Sequence, residues 1–295
     1  RLSLGLPDGS RDLVVDRSIL LENGFDELNG VDWKKGCYVG QEVVSRMQHR
    51  GTARTRIVPL VAVSDEALQT GAEITAAPLV LGPRVYVASR DGTLYAYEKD
   101  RPLFRFHAGG HLSASPTFYR GLLFVGAEDG WLYALDPESG ALRYKVRTGP
   151  VHAPVAAHGG VLFIPTWEGT VYAFDPLTRE TLWSAELEGE IWGGLALDEE
   201  RVYVAAWDGV LRALEQATGE EAWSLEVGKV TAGLAYAAGH LFLATEEGRL
   251  LAVDRRGQVV FEAAGLGAVQ VPPLPLPEEV LVVNLAGRLY RFAVG

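Results

Sequence analysis

The sequence predicts a mainly β fold, because residues 77–295 contain six copies of one pattern of short apolar strands and tight turns. Each copy has an apolar strand, a turn that ends in glycine and a second apolar strand. The six turn glycines are Gly92, Gly130, Gly169, Gly209, Gly248 and Gly287. They lie 38 to 40 residues apart, a period typical of a β-propeller with one four-stranded sheet, or blade, per repeat. Since a lone blade cannot bury both faces, the blades must pack side by side.

The strands of each repeat are rich in β-branched and aromatic residues, and Asp-Gly or Glu-Gly turns such as Asp129-Gly130 join them. Such dipeptides between apolar runs favour hairpins. A large ring recurs in the fourth predicted strand, at Phe104, Tyr144, Trp183, Trp223 and Phe261. We expect these rings to pack between blades. The sixth repeat has only three predicted strands, and we predict that residues 54–63 supply a closing strand.

A partner-binding face is predicted where the turns between second and third strands meet the links between blades. The turns contribute Arg90, Glu128, Trp167, Trp207 and Glu246. The links contribute His107, His111, His152, Glu190, Trp192 and Lys229. Three tryptophans among charges of both signs are typical of a protein-recognition surface. In the alternative interpretation, Trp167 and Trp207 only pack against neighbouring blades.

The run from Asp129 to Asp136, followed by Ser139-Gly140, resembles the repeat of quinoprotein-type propellers, which also occurs in outer-membrane assembly lipoproteins of the BamB kind. Relatives that bind pyrroloquinoline quinone are dehydrogenases, typically with eight blades, a calcium site and often a vicinal cysteine pair. Six repeats without cysteine depart from that pattern. We therefore expect neither a bound quinone nor dehydrogenase activity, and no enzymatic role for the propeller.

Residues 1–76 lack the repeat but contain Lys35-Gly36-Cys37-Tyr38-Val39-Gly40-Gln41-Glu42. This motif resembles the signature of the YgfZ family of folate-binding proteins, which are related to the glycine-cleavage aminomethyltransferase. Further matching residues are Arg1, Gly5, Pro7, Arg46, Gly51 and Arg56. The resemblance implies a truncated, small α+β fragment of that fold, with the start of its C-terminal barrel at residues 54–76. It also implies tetrahydrofolate binding and support of iron–sulfur enzymes, including those that modify tRNA.

Cys37 is the functional residue that the resemblance implies, and it is the only cysteine of the chain. Its neighbours Lys35 and Gly36 favour an accessible thiol with a lowered pKa. The alternative is an inert, buried cysteine. A single cysteine excludes an intrachain disulfide and a cysteine-based metal site, which fits the cytoplasm, whereas many proteins with such propellers are periplasmic.

The charge of the chain restricts its partners. Residues 77–295 hold 18 basic and 27 acidic side chains, which gives −9 of the total net charge of −11. Such an acidic propeller does not suit the phosphates of nucleic acids. No apolar run approaches the ~20 residues of a membrane helix. We expect a monomer. We also expect no metal site, because His107 and His111 lack paired carboxylates.

Overall fold

The computed structural model of the protein describes residues 70–98, 101–230 and 232–293. A compact unit spans Gln69–Gly295, and its described strands form six antiparallel sheets. This architecture confirms the predicted β-propeller. Among the described residues, no helix has the length and apolarity that a membrane crossing requires.

The first three sheets each contain four strands in sequence order. The first contains β1 (Leu79–Leu81), β2 (Arg84–Ala88), β3 (Thr93–Glu98) and β4 (Arg101–His107). The second contains β5 (Thr117–Tyr119), β6 (Leu122–Gly126), β7 (Trp131–Leu135) and β8 (Leu142–Arg147). The third contains β9 (Ala156–His158), β10 (Val161–Pro165), β11 (Thr170–Asp175) and β12 (Glu180–Glu186).

The next two sheets repeat this order, and the sixth has three strands within the described residues. The fourth contains β13 (Ala196–Leu197), β14 (Arg201–Ala205), β15 (Val210–Glu215) and β16 (Glu221–Glu226). The fifth contains β17 (Ala235–Ala237), β18 (His240–Ala244), β19 (Leu250–Asp254) and β20 (Val259–Ala263). The sixth contains β21 (Leu274–Pro275), β22 (Glu279–Val283) and β23 (Leu289–Ala293).

The hydrophobic core lies between consecutive sheets, where side chains from facing strands bury one another. Each of the five buried clusters combines residues from two neighbouring blades. Tyr203 of the fourth sheet and Leu241 of the fifth share one such cluster. The blades therefore stabilise each other, as the repeat pattern predicted.

The turn glycines are required both by backbone conformation and by space. Gly169 has a φ of 90°, in the left-handed region that side chains rarely adopt. A Cβ atom there would lie 2.5 Å from the carbonyl oxygen of Gly189 and 2.8 Å from that of Leu187. The link to the next blade thus passes directly over this turn, and only glycine leaves room for it.

A small residue in each third strand makes room for the ring on the fourth strand. The pairs across these strands are Ala96–Phe104, Ala134–Tyr144, Ala173–Trp183, Ala213–Trp223 and Ala252–Phe261. A register shift follows the alanine in all five sheets. In β23 the third-strand position between Tyr290 and Phe292 is Arg291, which forms an ion pair with Glu279 at 2.8 Å.

The fourth-strand rings pack on the next blade, which confirms that prediction. The indole Nε1 of Trp183 donates to the carbonyl oxygen of Gln216 at 2.8 Å. Trp223 does the same to Arg255 at 2.9 Å. The Tyr144 hydroxyl donates to the carbonyl of Pro176 at 3.0 Å. Each ring therefore holds the turn between third and fourth strands of the following blade.

The repeating contacts begin at Gly71. Its N–H donates to the Asp91 carboxylate at 2.7 Å, as the N–H of Gly109 does to Asp129 at 3.0 Å one repeat later. Residues from Gly71 onward thus occupy the position of a link between blades. The predicted domain boundary at residue 77 and the closing strand at residues 54–63 stay predictions, and the latter lies outside the described residues.

Candidate functional site

The predicted turns and links meet along one rim, which we define as the six turns between second and third strands together with the link before each blade. In every repeat, the residue two positions before the turn glycine donates its N–H to a carbonyl of that link. The pairs, at 2.8–3.0 Å, are Arg90–Glu73, Glu128–His111, Trp167–Pro150, Trp207–Glu190, Glu246–Lys229 and Leu285–Ala268. The side chains of both predicted sets are thereby brought together.

Leu285 is the member of the rim that the sequence interpretation missed. It is 63 % exposed and its N–H donates to the carbonyl of Ala268 at 2.9 Å. Its position two residues before Gly287 is the signal that identifies it. His107, by contrast, ends β4 and its Nδ1 lies 2.9 Å from the Thr93 hydroxyl, so it belongs to the outer strand rather than to the link.

Four aromatic side chains form a continuous row across the third and fourth blades, and we call His152, Trp167, Trp192 and Trp207 the tryptophan row. The ring centroid of His152 lies 5.4 Å from that of Trp167 and 6.4 Å from that of Trp192, so these three rings contact one another. Trp192 meets Trp167 edge-on at 6.2 Å and lies 5.7 Å from Trp207. Trp192 is 44 % exposed. Trp167 and Trp207 therefore pack against a neighbouring ring and also contribute to the surface of the rim.

Charged groups fix both ends of the tryptophan row. Glu128 accepts a hydrogen bond from the Ser113 hydroxyl at 2.6 Å, and the same carboxylate oxygen lies 3.7 Å from Nδ1 of His152. At the other end, the ammonium group of Lys229 lies 4.5 Å from the centroid of the Trp207 ring. This is a cation–π contact.

The centre of the row contains one satisfied and one unsatisfied indole. Nε1 of Trp192 donates to the Glu190 carboxylate at 2.8 Å. Nε1 of Trp167 is buried and has no hydrogen-bond partner among the described residues. A buried donor without a partner is destabilising by about 1–3 kcal/mol. The two indoles at the centre of the row therefore differ in their hydrogen bonding within the described residues.

Arg90 and His111 extend the rim into the first two blades. Nδ1 of His111 forms a hydrogen bond with the carbonyl oxygen of Arg90. The Arg90 guanidinium lies 4.0 Å from the Glu73 carboxylate. Of the eleven side chains predicted for this face, all but His107 therefore belong to the rim, although their binding role stays a prediction.

Aspartates of the turns hold the rim in place. Asp91 accepts hydrogen bonds from the Tyr95 hydroxyl at 2.6 Å and from the N–H groups of Gly71 and Thr93 at 2.7 and 2.8 Å. Burial would raise the pKa of Asp91, but these hydrogen bonds outweigh it and lower the pKa to about 2. The turn therefore keeps its negative charge well into the acidic range.

A second polar cluster joins the fourth and fifth blades away from the rim turns. The Asp198 carboxylate, 2 % exposed, accepts from the Tyr203 hydroxyl at 2.7 Å and from Nε of Arg255 at 2.8 Å. Burial favours the neutral acid, yet the hydrogen bonds from the backbone, Tyr203 and Arg255 lower the pKa of Asp198. Burial and the adjacent carboxylate raise the pKa of Tyr203. Because its groups are paired with one another, the cluster stabilises the contact between the fourth and fifth blades; we call Asp198, Tyr203 and Arg255 the cross-blade lock.

An apolar cleft of about 220 Å³ lies between the fifth and sixth sheets. Phe242, Phe261 and Phe292 line it, and Phe261 is 42 % exposed. The sequence interpretation did not predict this cleft. Within the described ranges, no group of three or more His, Cys, Asp or Glu side chains could hold a metal ion.

The YgfZ-like motif lies outside the described residues. The positions concerned are Lys35, Gly36, Cys37, Tyr38, Gly40, Gln41, Glu42 and Arg46. Their roles, including tetrahydrofolate binding, therefore stay predictions.

Comparison with known families decides the assignment of the repeats. The family model described as outer membrane protein assembly factor BamB matches residues 33–150, 128–230 and 208–294. The chain belongs to this BamB family. A solved BamB from Moraxella catarrhalis has a TM-score of 0.66 and 20 % identity over 75 % of this chain and 73 % of that chain. At that identity, the BamB structure supports the fold alone.

Two further solved structures share the fold. The computationally designed Ika8 protein has a TM-score of 0.68 and 19 % identity, covering 75 % of this chain and 71 % of its own. BBS1N, solved in complex with ARL6DN, has a TM-score of 0.59 and 18 % identity over 72 % of this chain and 75 % of that chain.

A short segment is similar to a different group of curated proteins, the mitochondrial iron–sulfur cluster assembly factor IBA57 homologs. The Neurospora crassa protein is 44 % identical over 61 residues, 21 % of this chain and 14 % of that protein. The Dictyostelium discoideum protein is 51 % identical over 61 residues, again 21 % of this chain and 15 % of that protein. The chain thus spans 14–15 % of the length of these two relatives. This similarity confirms the predicted resemblance to the YgfZ-type family over a short segment.

Proposed function

We propose that the propeller is a non-catalytic protein-binding module whose contact surface is the rim. The observation that carries this proposal is the tryptophan row, in which four rings from two blades lie side by side with one indole 44 % exposed. Tryptophan is enriched among the residues that dominate binding energy at protein interfaces. The rim therefore offers a partner a rigid apolar centre with charged edges.

The chemistry of the rim favours binding over catalysis. The Ser113 hydroxyl donates to the Glu128 carboxylate at 2.6 Å. His152 lies beside the same carboxylate and against the ring of Trp167. These groups hold each other and the rings in position, which is what a preorganised binding surface requires.

Relatives support the same class of function. The family is described by a role in outer membrane protein assembly, and the structurally similar BBS1N was solved in complex with ARL6DN. Both descriptions concern association with other proteins. For this chain we propose the class of function, protein binding, and not the partner of either relative.

The test is capture of partners from an extract by the full chain and by two variants. Trp192→Ala together with Trp207→Ala removes the exposed part of the row. Phe118→Ala removes a ring of similar exposure, 41 %, from β5, which lies outside the rim. We expect proteins retained by wild type and Phe118→Ala to be lost from the double variant, with unchanged melting temperatures. If the double variant retains the same proteins, the rim is not the contact surface.

A second candidate function rests on the segment that is similar to IBA57 homologs. In this alternative, the protein supports iron–sulfur enzymes through a folate-binding fragment that includes Cys37. Titration of the full chain with tetrahydrofolate discriminates the two candidates, since only the second requires binding. Saturable binding that Cys37→Ser alters would favour it, whereas no binding would reject it.

A further inference from the structure

We infer that the rim binds its partner protein through an arginine side chain of the partner, whose guanidinium stacks on the exposed part of the Trp192 ring and pairs with the Glu190 carboxylate. The inference rests on the proposed binding function and adds the chemistry that the partner must present. Four features carry it: the exposed ring, the carboxylate at its edge, the same kind of contact elsewhere in this propeller, and the surrounding charge.

The ring of Trp192 is held in place by its neighbours and is still open to solvent. It meets Trp167 edge-on at 6.2 Å and lies 5.7 Å from Trp207. His152 completes this packing at 6.4 Å, yet Trp192 remains 44 % exposed. A ligand can therefore reach the outer part of the ring without displacing any of these neighbours.

A carboxylate without a cationic partner lies at the edge of this ring. Oε2 of Glu190 accepts the indole N–H of Trp192 at 2.8 Å, whereas Oε1 has no hydrogen-bond partner among the described residues. In the turn of the fourth blade, by contrast, the Asp208 carboxylate pairs with the guanidinium of Arg212 at 2.5 Å. The hydrogen bond holds the Glu190 carboxylate beside the ring, so a cation on the exposed face can contact the ring and the carboxylate together.

The propeller places cations on two of its other tryptophans. The Lys145 ammonium lies 4.2 Å from the centroid of the Trp131 ring, and the Lys229 ammonium lies 4.5 Å from that of Trp207. Within the described ranges, no lysine or arginine lies over the ring of Trp192 in this way. Trp192 therefore combines an exposed ring and an adjacent carboxylate with a cation position that a partner can fill.

The charge around Trp192 favours a cation, and its geometry favours arginine. The rim turns and links of the third and fourth blades contain no lysine or arginine and four carboxylates, Glu168, Glu188, Glu190 and Asp208. Opposite charge on a partner steers and orients its binding. A guanidinium is planar, stacks on aromatic faces and can donate two hydrogen bonds to one carboxylate, whereas an ammonium is a compact point charge.

Three blocked pentapeptides, Gly-Ala-X-Ala-Gly with arginine, citrulline or lysine as X, test the inference against the full chain. The readout is the proton–nitrogen NMR signals of the indole N–H groups, in which the Trp192 signal is assigned by its loss in Trp192→Phe. We expect the arginine peptide to shift the Trp192 signal. It should bind at least about five-fold more tightly than the citrulline peptide, which has nearly the same shape without the charge, and at least about two-fold more tightly than the lysine peptide.

Each control can overturn one part of the inference. Equal affinities for the arginine and citrulline peptides would overturn the role of charge. Equal affinities for the arginine and lysine peptides would overturn the preference for a guanidinium. If the arginine peptide leaves the Trp192 signal unchanged, the whole inference is wrong.

A matched pair of substitutions separates the Glu190 contact from general charge. Glu190→Gln keeps an acceptor for the Trp192 indole but removes the charge, and we expect at least about three-fold weaker binding of the arginine peptide with an unchanged melting temperature. Glu188→Gln removes the same charge from an exposed position of the same link and should leave the affinity within about two-fold of wild type. Equal losses of affinity in the two variants would overturn the pairing with Glu190.

A third variant tests the ring itself. Trp192→Leu keeps an apolar side chain without an aromatic face, and we expect at least about five-fold weaker binding of the arginine peptide. Wild-type affinity in Trp192→Leu would overturn the stacking contact.

The capture experiment separates a failure of this inference from a failure of the proposed function. If Glu190→Gln retains every protein that wild type captures, while Trp192→Ala together with Trp207→Ala loses them, the arginine inference is wrong and the proposed function stands. If the double variant also retains them, the proposed function is wrong as well.

Discussion

Trp183 and Trp223 lie between blades, whereas Trp167, Trp192 and Trp207 lie together on the rim. The first two occupy equivalent positions in successive repeats, and each donates its indole N–H to a backbone carbonyl of the next blade. Trp167 and Trp207 occupy the turn position at which the other blades have Arg90, Glu128, Glu246 and Leu285, and Trp192 lies in a link between blades. A ring that recurs with its polar atom satisfied stabilises the fold. A ring that departs from the repeat and leaves a donor unpaired is a candidate for function.

The largest difference between the two groups should appear on truncation. Trp223→Ala removes a ring that contacts Tyr203 at 5.9 Å and holds Arg255, so we expect a loss of about 3 kcal/mol in the free energy of unfolding. Trp192→Ala removes a half-exposed ring and should change it by less than about 1 kcal/mol. Urea denaturation of both variants measures the difference. If both variants lose the same free energy of unfolding, the distinction between inter-blade and rim tryptophans is wrong.

The cross-blade lock of Asp198, Tyr203 and Arg255 should also contribute to the free energy of unfolding. Asp198→Asn removes the charge that pairs with Arg255, and we expect a loss of about 2 kcal/mol at neutral pH, less than for a fully buried pair because Arg255 is 42 % exposed. Because the folded-state pKa of Asp198 is lowered, its contribution is present above the unfolded pKa near 4 and lost as the pH falls through the folded value. Wild type should therefore lose more stability than Asp198→Asn below pH 4. If the free energies of unfolding of wild type and Asp198→Asn change in parallel with pH, this prediction is wrong.

Glycines beneath the inter-blade rings sharpen the comparison further. Gly257 and Gly239 have nearly equal φ values of 82° and 81°. A Cβ atom at Gly257 would lie 2.8 Å from the Trp223 ring, whereas nothing lies within 4 Å of one at Gly239. Both alanine variants should lose about 1 kcal/mol from backbone strain, and Gly257→Ala about 1–2 kcal/mol more from overpacking. Thermal denaturation of the matched pair isolates the contribution of the ring.

The smallest effect concerns one hydrogen bond. Trp223→Phe removes the donor that bonds Arg255 and should lower the free energy of unfolding by about 1 kcal/mol. Trp167→Phe removes a buried donor that has no partner in the described part of the chain, so its stability should stay the same or rise. If the free energy of unfolding falls in Trp223→Phe but rises in Trp167→Phe, the same substitution reports the different roles of the two indole N–H groups. A clear loss in Trp167→Phe would show that its indole is satisfied.

Much of the fold could be predicted because it depends on local chemistry that recurs. The six turn glycines fixed the number of blades, and the fourth-strand rings were correctly placed between them. The rim residues could also be predicted, since a constant offset from each glycine places a side chain on the same face. Leu285 satisfies that rule as well as Trp167 does, and it was missed because its turn lacks the acidic residue.

Other contacts could not be predicted, because they join residues whose spacing follows no repeat. Asp198 and Arg255 pair across the fourth and fifth blades although they are 57 residues apart in the chain. The cleft beside Phe261 is lined by side chains from both the fifth and the sixth sheet. The contacts within the tryptophan row could not be predicted either, because its residues come from links and turns of different blades.

By itself, the sequence determined the repeat, the strand and turn chemistry, and which side chains belong to the rim, because each of these depends on residues close together in the chain. Only the tertiary structure decided which rim side chains touch, which polar groups are satisfied and where the blades lock together. Those outcomes depend on the packing of one blade against the next. Packing brings together atoms that are far apart in the chain. The distances between these atoms in space determine the free energy of each contact, and the sequence does not give those distances.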